Sequence, residues 1–218
     1  MTWSEVWPLL WPATKETLTM TAVATAFTAV LGTLLGVLLV LTERDGLLPV
    51  PPLNKVLGFV VNVGRSLPFL ILMVAIIPFT KLITGTSLGN TAAIVPLTVG
   101  AIPFYARLVE IGLREVDPGV IHAAHAMGAT RREIVAKVLL REARPGLVSG
   151  LTVTVIAVIG YTAMAGTVGG GGLGYLAISY GYERFETKVM IATVVLLVAI
   201  VLAVQLAGDL IARRLIRK

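Results

Sequence analysis

The stretch TLTMTAVATAFTAVLGTLLGVLLVLT, Thr17 to Thr42, runs for 26 residues without an Asp, Glu, Lys, Arg or His. A helix of that length, at about 1.5 Å rise per residue, exceeds a hydrocarbon core of roughly 30 Å. Three more stretches pass the same test: Leu82–Ala106 with 25 residues, Pro145–Tyr182 with 38 and Val189–Gly208 with 20. A further candidate, Val56–Thr80, is interrupted at Arg65, which leaves 15 clean residues from Ser66 to Thr80. Arg65 is expected near one interface, its side chain reaching toward headgroups. The run of 38 is too long for one crossing, and its glycine cluster Gly169–Gly174 comes too late for two. It reads as one helix, about Gly146–Val168, followed by a glycine-rich break.

The expected fold is therefore all-α, a single membrane domain over residues 1–218 with five transmembrane helices. The spans fall at about 17–42, 56–80, 82–106, 146–168 and 189–208. Composition agrees: 56% of the 218 residues are hydrophobic, 14% are charged, and the mean hydropathy is +0.91. A soluble domain averages about 25% charged residues. The absence of cysteine excludes disulfides, thiol catalysis and thiolate metal sites. Met1–Thr14 carries no basic residue and no small-residue cleavage site, so no removable signal peptide is expected.

Orientation follows from the basic residues. With five spans, one side collects 14 Lys and Arg, including Arg107, Arg131, Arg132, Lys137, Arg213, Arg214, Arg217 and Lys218, and the other side 4. The positive-inside rule then places the C-terminus in the cytoplasm and the N-terminus outside, in a multi-pass protein of the cytoplasmic (inner) membrane. Trp3, Trp7 and Trp11 recur every four residues and would share one helical face at the membrane surface. Gly32 with Gly36, and Gly146 with Gly150, form GxxxG pairs expected to bring helices of the same subunit close.

Between the third and fourth spans lies the extended polar segment Arg107–Arg144, with 7 basic and 5 acidic residues among 38. Asp117–Pro118–Gly119 reads as a turn, followed by two short helices hinged near Gly128–Thr130. Ile121, Ala124, Met127 and Gly128 are expected on one face of the first helix, with Ile134, Val135 and Val138 on a face of the second. Small apolar residues opposite basic ones suit a piece that docks into another protein at the membrane surface.

This segment resembles the EAA motif of ABC-importer permeases: E-A-A, three residues, Gly, nine residues, then I-x-L-P. The chain has His122–Ala123–Ala124, then Gly128, then Val138–Leu139–Leu140–Arg141, with every spacing kept. His122 stands where the family usually has Glu, and Arg141 where it usually has Pro. The stretches Arg65–Phe69, Ala92–Gly100 and Val168–Gly174 are similar to the methionine-uptake branch, and the likeness runs from about Thr17 to the C-terminus.

The resemblance implies a permease subunit that carries methionine, in L and D forms, by alternating access. It implies a homodimer, two ATP-binding subunits on the cytoplasmic face and an external methionine-binding protein. His122, Ala123, Ala124, Met127, Gly128, Ala129 and Thr130 would form the coupling loop seated in the ATPase. ATP and Mg would be used by that partner, with no cofactor on this chain. The residues agree with a borrowed energy source. The clean spans hold no Asp, Glu, Lys, Arg or His, which ion-driven carriers usually bury. No G-x-x-x-x-G-K-[ST] phosphate loop is present, so the chain is not expected to be an enzyme. A permease for another small amino acid, a stand-alone secondary carrier and a substrate-free membrane scaffold are the competing readings.

Tyr161, Met164 and Thr167, late in the fourth span, are candidates for the pathway or its gate; Asn62 and Ser66 are further polar positions near membrane depth. Asn62, Ser66 and Gln205 equally suit helix–helix hydrogen bonds. Gly169, Gly171 and Gly174 match a dinucleotide fingerprint only formally, because no strand precedes them. His122 and His125 lack the further ligands of a metal site. The basic tail beside a span suits anionic lipid rather than nucleic acid.

Overall fold

The structure, a computed structural model, describes residues 1–216; Arg217 and Lys218 of the basic tail lie outside the described residues. All regular elements among the described residues are helical. Helix α1 is Trp3–Leu41, α2 Pro51–Ser66, α3 Phe69–Ala75, α4 Ile77–Thr84 and α5 Asn90–Arg114. Then come α6 Pro118–Ala126, α7 Arg131–Glu133, a π-helical turn Ile134–Leu139, α8 Leu140–Glu142 and α9 Arg144–Ala165. A 3₁₀ turn Gly166–Val168, α10 Gly172–Leu176, a second π-helical stretch Ala177–Tyr182 and α11 Thr187–Ile216 complete the chain.

Four helices, α1, α5, α9 with its 3₁₀ extension, and α11, are each long and apolar enough to cross a membrane. Helix α1 begins fourteen residues before Thr17, so the tryptophans belong to it. They share an outward face, Trp7 being 67% exposed.

The expected second span is not one helix. Helices α2 and α3 meet at 107°. Pro68 lacks an N–H and keeps Leu67 extended at φ −80°, ψ 126°, so the helix must stop there. The expected third span also shifts. Leu82–Thr84 close α4, which ends at Gly85 in the left-handed region (φ +75°), and the long helix runs Asn90–Arg114 instead of 82–106. Arg107–Arg114, expected in the polar loop, are the last turns of α5. Their charges are tolerated because Glu110, 2% exposed, takes ion pairs from Arg107 at 2.7 Å and Arg114 at 2.6 Å.

Both GxxxG pairs bring helices of this chain together. A methyl group on Gly32 would meet the Tyr105 ring at 2.8 Å, and one on Gly36 would meet Ala106 O and Val109 at 2.6 Å, so α1 lies directly on α5. On an adjoining face of α5, Gly146 approaches Gly112 and Gly150 approaches Leu108. Helix α11 closes on α9 where Gly208 faces Thr152. Van der Waals contact at such close approach is what holds helices together where lipid removes the hydrophobic drive. Met20, Phe69, Met73, Leu97 and Val158 form the core between α1, α3, α5 and α9.

Candidate functional site

The polar segment after α5 is ordered by its own side chains. Asp117 Oδ1 accepts from Gly119 N at 2.7 Å, and Pro118 occupies the first turn, so α6 starts there. The helix ends when Gly128 turns to φ +82°, with Gly128 N donating to His125 O and Ala129 N to Ala124 O. Thr130 begins the next helix. Glu133 Oε2 accepts from Thr130 N at 3.1 Å and from its hydroxyl at 2.9 Å, while Lys137 Nζ reaches Glu133 Oε1 at 2.9 Å. Two short helices around Gly128 were expected and are present.

The apolar face is narrower than expected. Ala124 is buried and Ile121 half-buried, but Met127 is 82% exposed. Helix α6 stops at Ala126, so Met127 leaves the helical register and points away. Behind it Ile134 and Leu139 are buried, whereas Val135 and Val138 are half-buried. His122, Ala123, Met127, Gly128 and Thr130 lie exposed, and Ala129 is half-buried. A cavity of about 400 Å³ lies between α6 and the end of α1, with Leu41, Glu43, Arg114, Ile121 and His122 in its wall.

Sequence reasoning missed the charged cluster beneath this segment. Arg114, besides holding Glu110, pairs with Glu43 just after α1. It fastens the end of α1 to α5 where the polar segment departs. The spacing Arg107, Glu110, Arg114 on one helical face is a signal that could have found it.

Near the other end, Tyr161 on α9 stacks on Phe69 at the start of α3, ring centroids 4.4 Å apart and planes 6° from parallel. Met164 is 48% exposed, and Thr167 spends its hydroxyl on Met164 O at 2.7 Å. Asn62 and Ser66 are exposed on α2, where Ser66 Oγ donates to Asn62 O. Gln205 bonds Asp209 within α11. Neither Ser66 nor Gln205 therefore makes the helix–helix hydrogen bond that was expected.

The glycine cluster is a break, as its composition suggests, and also a capped helix start. Gly169 and Gly172 have φ +91° and +85°. The amides that open α10 are taken by distant side chains: Gly171 N donates to Asn90 Oδ1 at 2.7 Å, Gly172 N to Glu16 Oε2 at 2.7 Å and Leu173 N to Thr17 Oγ1 at 2.9 Å. A carboxylate against a helix N-terminus is favoured by the helix dipole.

Residues 32–217 match the family model described as "Binding-protein-dependent transport system inner membrane component". A relative from Vibrio cholerae, a probable D-methionine transport system permease protein MetI, is 56% identical over 177 residues, 81% of this chain and 79% of the relative. The methionine import system permease protein MetP of Bacillus subtilis is 51% identical over 174 residues, 80% and 78% of the two chains. A chain of the MetNI methionine ABC transporter, solved in inward-facing conformations, superposes with TM-score 0.95 at 49% identity, covering 99% of both chains. An amino acid ABC transporter whose crystal structure was solved with histidines shares the fold, with TM-score 0.78 at 20% identity.

Proposed function

The chain belongs to the family of binding-protein-dependent transport system inner membrane components, and from that premise we propose that it is the permease subunit of an ATP-driven methionine importer. The observation that carries the substrate is the full-length superposition on the methionine transporter chain, together with methionine permeases as high-identity relatives.

In this reading the chain crosses the cytoplasmic membrane five times, the bent pair α2–α3 serving as one crossing, with its N-terminus outside and its C-terminus inside. Two copies enclose the pathway. Two ATP-binding subunits receive α6 and the Gly128 turn, through the exposed residues His122, Ala123, Met127, Gly128 and Thr130 with Ala124 and Ala129 behind. An external binding protein delivers methionine in L or D form, and Mg and ATP stay with the partner. Closure of the ATPase draws the two α6 helices together. Because Arg114 ties Glu43, just after α1, to Glu110 of α5 at the root of that segment, the pull reaches two long helices at once. The spans then move as rigid bodies between inward-open and outward-open arrangements. Tyr161, Met164, Thr167, Asn62 and Ser66 line or gate the path.

The test is uptake of labelled L-methionine by methionine-transport-deficient cells that express this chain with its ATPase and binding protein. ATP-dependent uptake, lost when the ATPase is omitted, is the expected result. An assembled complex that hydrolyses ATP but carries no methionine would remove the substrate; uptake without any ATPase would remove the mechanism.

A further inference from the structure

Helix α11 fixes the depth of what packs on it. Val189–Gly208 runs 20 residues without a charge, about 30 Å of helix, so Lys188 stands at one boundary of the hydrocarbon. Val6 and Leu10 of α1 share a buried cluster with Val189 and Leu173, which puts the first turns of α1 beside that boundary. The two helices do not close on each other there. A groove of about 310 Å³ runs between them, walled by Trp3 and Trp7 on one side and by Ile191 and Val195 on the other, with Val6 and Leu10 buried at its floor. Its lining is entirely aliphatic and indole, and all four wall residues are more than half exposed. Ile191 and Val195 lie about 5–10 Å along the helix from Lys188, within one leaflet.

Lys188 reaches across the boundary end of this groove. Its Nζ donates to Met1 O at 3.1 Å, from the start of α11 to the start of α1. The side chain is exposed and makes no ion pair among the described residues. Glu5 and Glu186 face the same corner, and both are engaged: Glu5 Oε2 accepts from Thr2 N at 2.7 Å and Glu186 Oε2 from Met1 N at 2.8 Å. An ammonium has three donors, so two remain once Met1 O has taken one.

We infer that the groove holds one acyl chain of a membrane glycerophospholipid whose phosphate rests on Lys188, so that a lipid joins α1 to α11. The charge and the slot complement the two ends of such a molecule: a cation at the headgroup level, and an apolar channel directly beneath it. Indole rings favour that same level. Water finds no polar partner in the groove, and a void would forfeit the dispersion contacts that hold helices together in lipid. A helix of a second copy, about 10–12 Å across, is too wide to enter, whereas an extended hydrocarbon chain fits.

Trp3, Trp7 and Trp11 are all the tryptophans of the chain, so indole emission reports on this corner. The whole complex, permease with ATPase, is titrated in detergent with phosphatidylglycerol brominated on its acyl chains, a short-range quencher. The signal of the groove is the difference between wild type and Trp3→Phe/Trp7→Phe. Quenching is expected to saturate at about one lipid per permease chain. Lys188→Gln should raise the half-saturating concentration about ten-fold, as the loss of one charge-assisted contact does. Brominated diacylglycerol, which lacks the phosphate, should bind wild type as weakly as phosphatidylglycerol binds Lys188→Gln. Ala192→Phe, which fills the groove, should abolish the saturable phase. Quenching that never saturates, or that is equal in wild type and Lys188→Gln, overturns the inference. So does an absence of quenching, which would mean that protein covers the groove. Lys188→Gln lies at an exposed position, so it decides the matter even where Ala192→Phe fails to assemble.

Discussion

The amide of Gly172 donates to the carboxylate of Glu16 over 2.7 Å, joining residues 156 apart in sequence. With Thr17 and Asn90 taking the neighbouring amides, this contact locks α10 onto α1 and the first turn of α5. Removing the acceptor leaves a helix-start amide without its partner. Glu16→Ala should lower stability by about 1 kcal/mol and Glu16→Gln by less, because the amide oxygen still accepts. Thermal unfolding of the complex in detergent checks it; equal melting temperatures for all three proteins would contradict the lock.

Gly36 offers a second test. A side chain there meets backbone oxygen at Ala106 and the body of Val109, neither of which is a flexible tip. Gly36→Leu should cost about 3 kcal/mol or more and deplete folded protein from the membrane. Gly58 has open space around it, so Gly58→Leu should accumulate normally. Immunoblots of membrane fractions distinguish the two.

Gly128, between the two short helices, is constrained by its backbone and not by its surroundings. Nothing lies within 4 Å of the position a Cβ would occupy, whereas φ is +82°. The cost of substitution is thus conformational, about 1–2 kcal/mol for any ordinary L-residue. Ala and Leu should impair uptake about equally, and Asn, which tolerates the left-handed region, should impair it least. Uptake that falls in proportion to side-chain size would instead implicate the ATPase groove.

Glu133 makes a prediction about pH. Lys137 first, and then the amide and hydroxyl of Thr130, hold its carboxyl at about 2, against an ordinary value of 4.5. A depressed value in the folded state means that the contribution of the cap is complete above about 4.5 and is lost as pH falls through about 2. A carboxyl carbon titration by NMR should find that low midpoint, and Lys137→Ala should raise it. A midpoint near 4.5 in the native chain would show that the cap does not form.

Much of the fold was legible because crossing a bilayer is a local demand. No residue of Thr17–Thr42 or Val189–Gly208 carries a charge, so counting along the chain locates the long helices. The GxxxG pairs were legible for the same reason: a four-residue spacing puts Gly32 above Gly36 on one face whatever lies opposite. The two short helices on either side of Gly128 were likewise legible from the local pattern after Asp117.

Other features depended on neighbours that no local count contains. Arg107 and Arg114 looked like loop residues because charge was taken as the end of a helix, but buried Glu110 lets α5 continue through them. The glycine cluster announced a break without saying which groups would satisfy its amides; those are Glu16, Thr17 and Asn90, supplied by other helices. The sequence by itself determined which segments must leave water, because transfer to lipid is nearly additive along the chain. Only the tertiary structure decided where each charge and each unpaired backbone group finds its partner, because those energies depend on contacts between residues up to 187 positions apart.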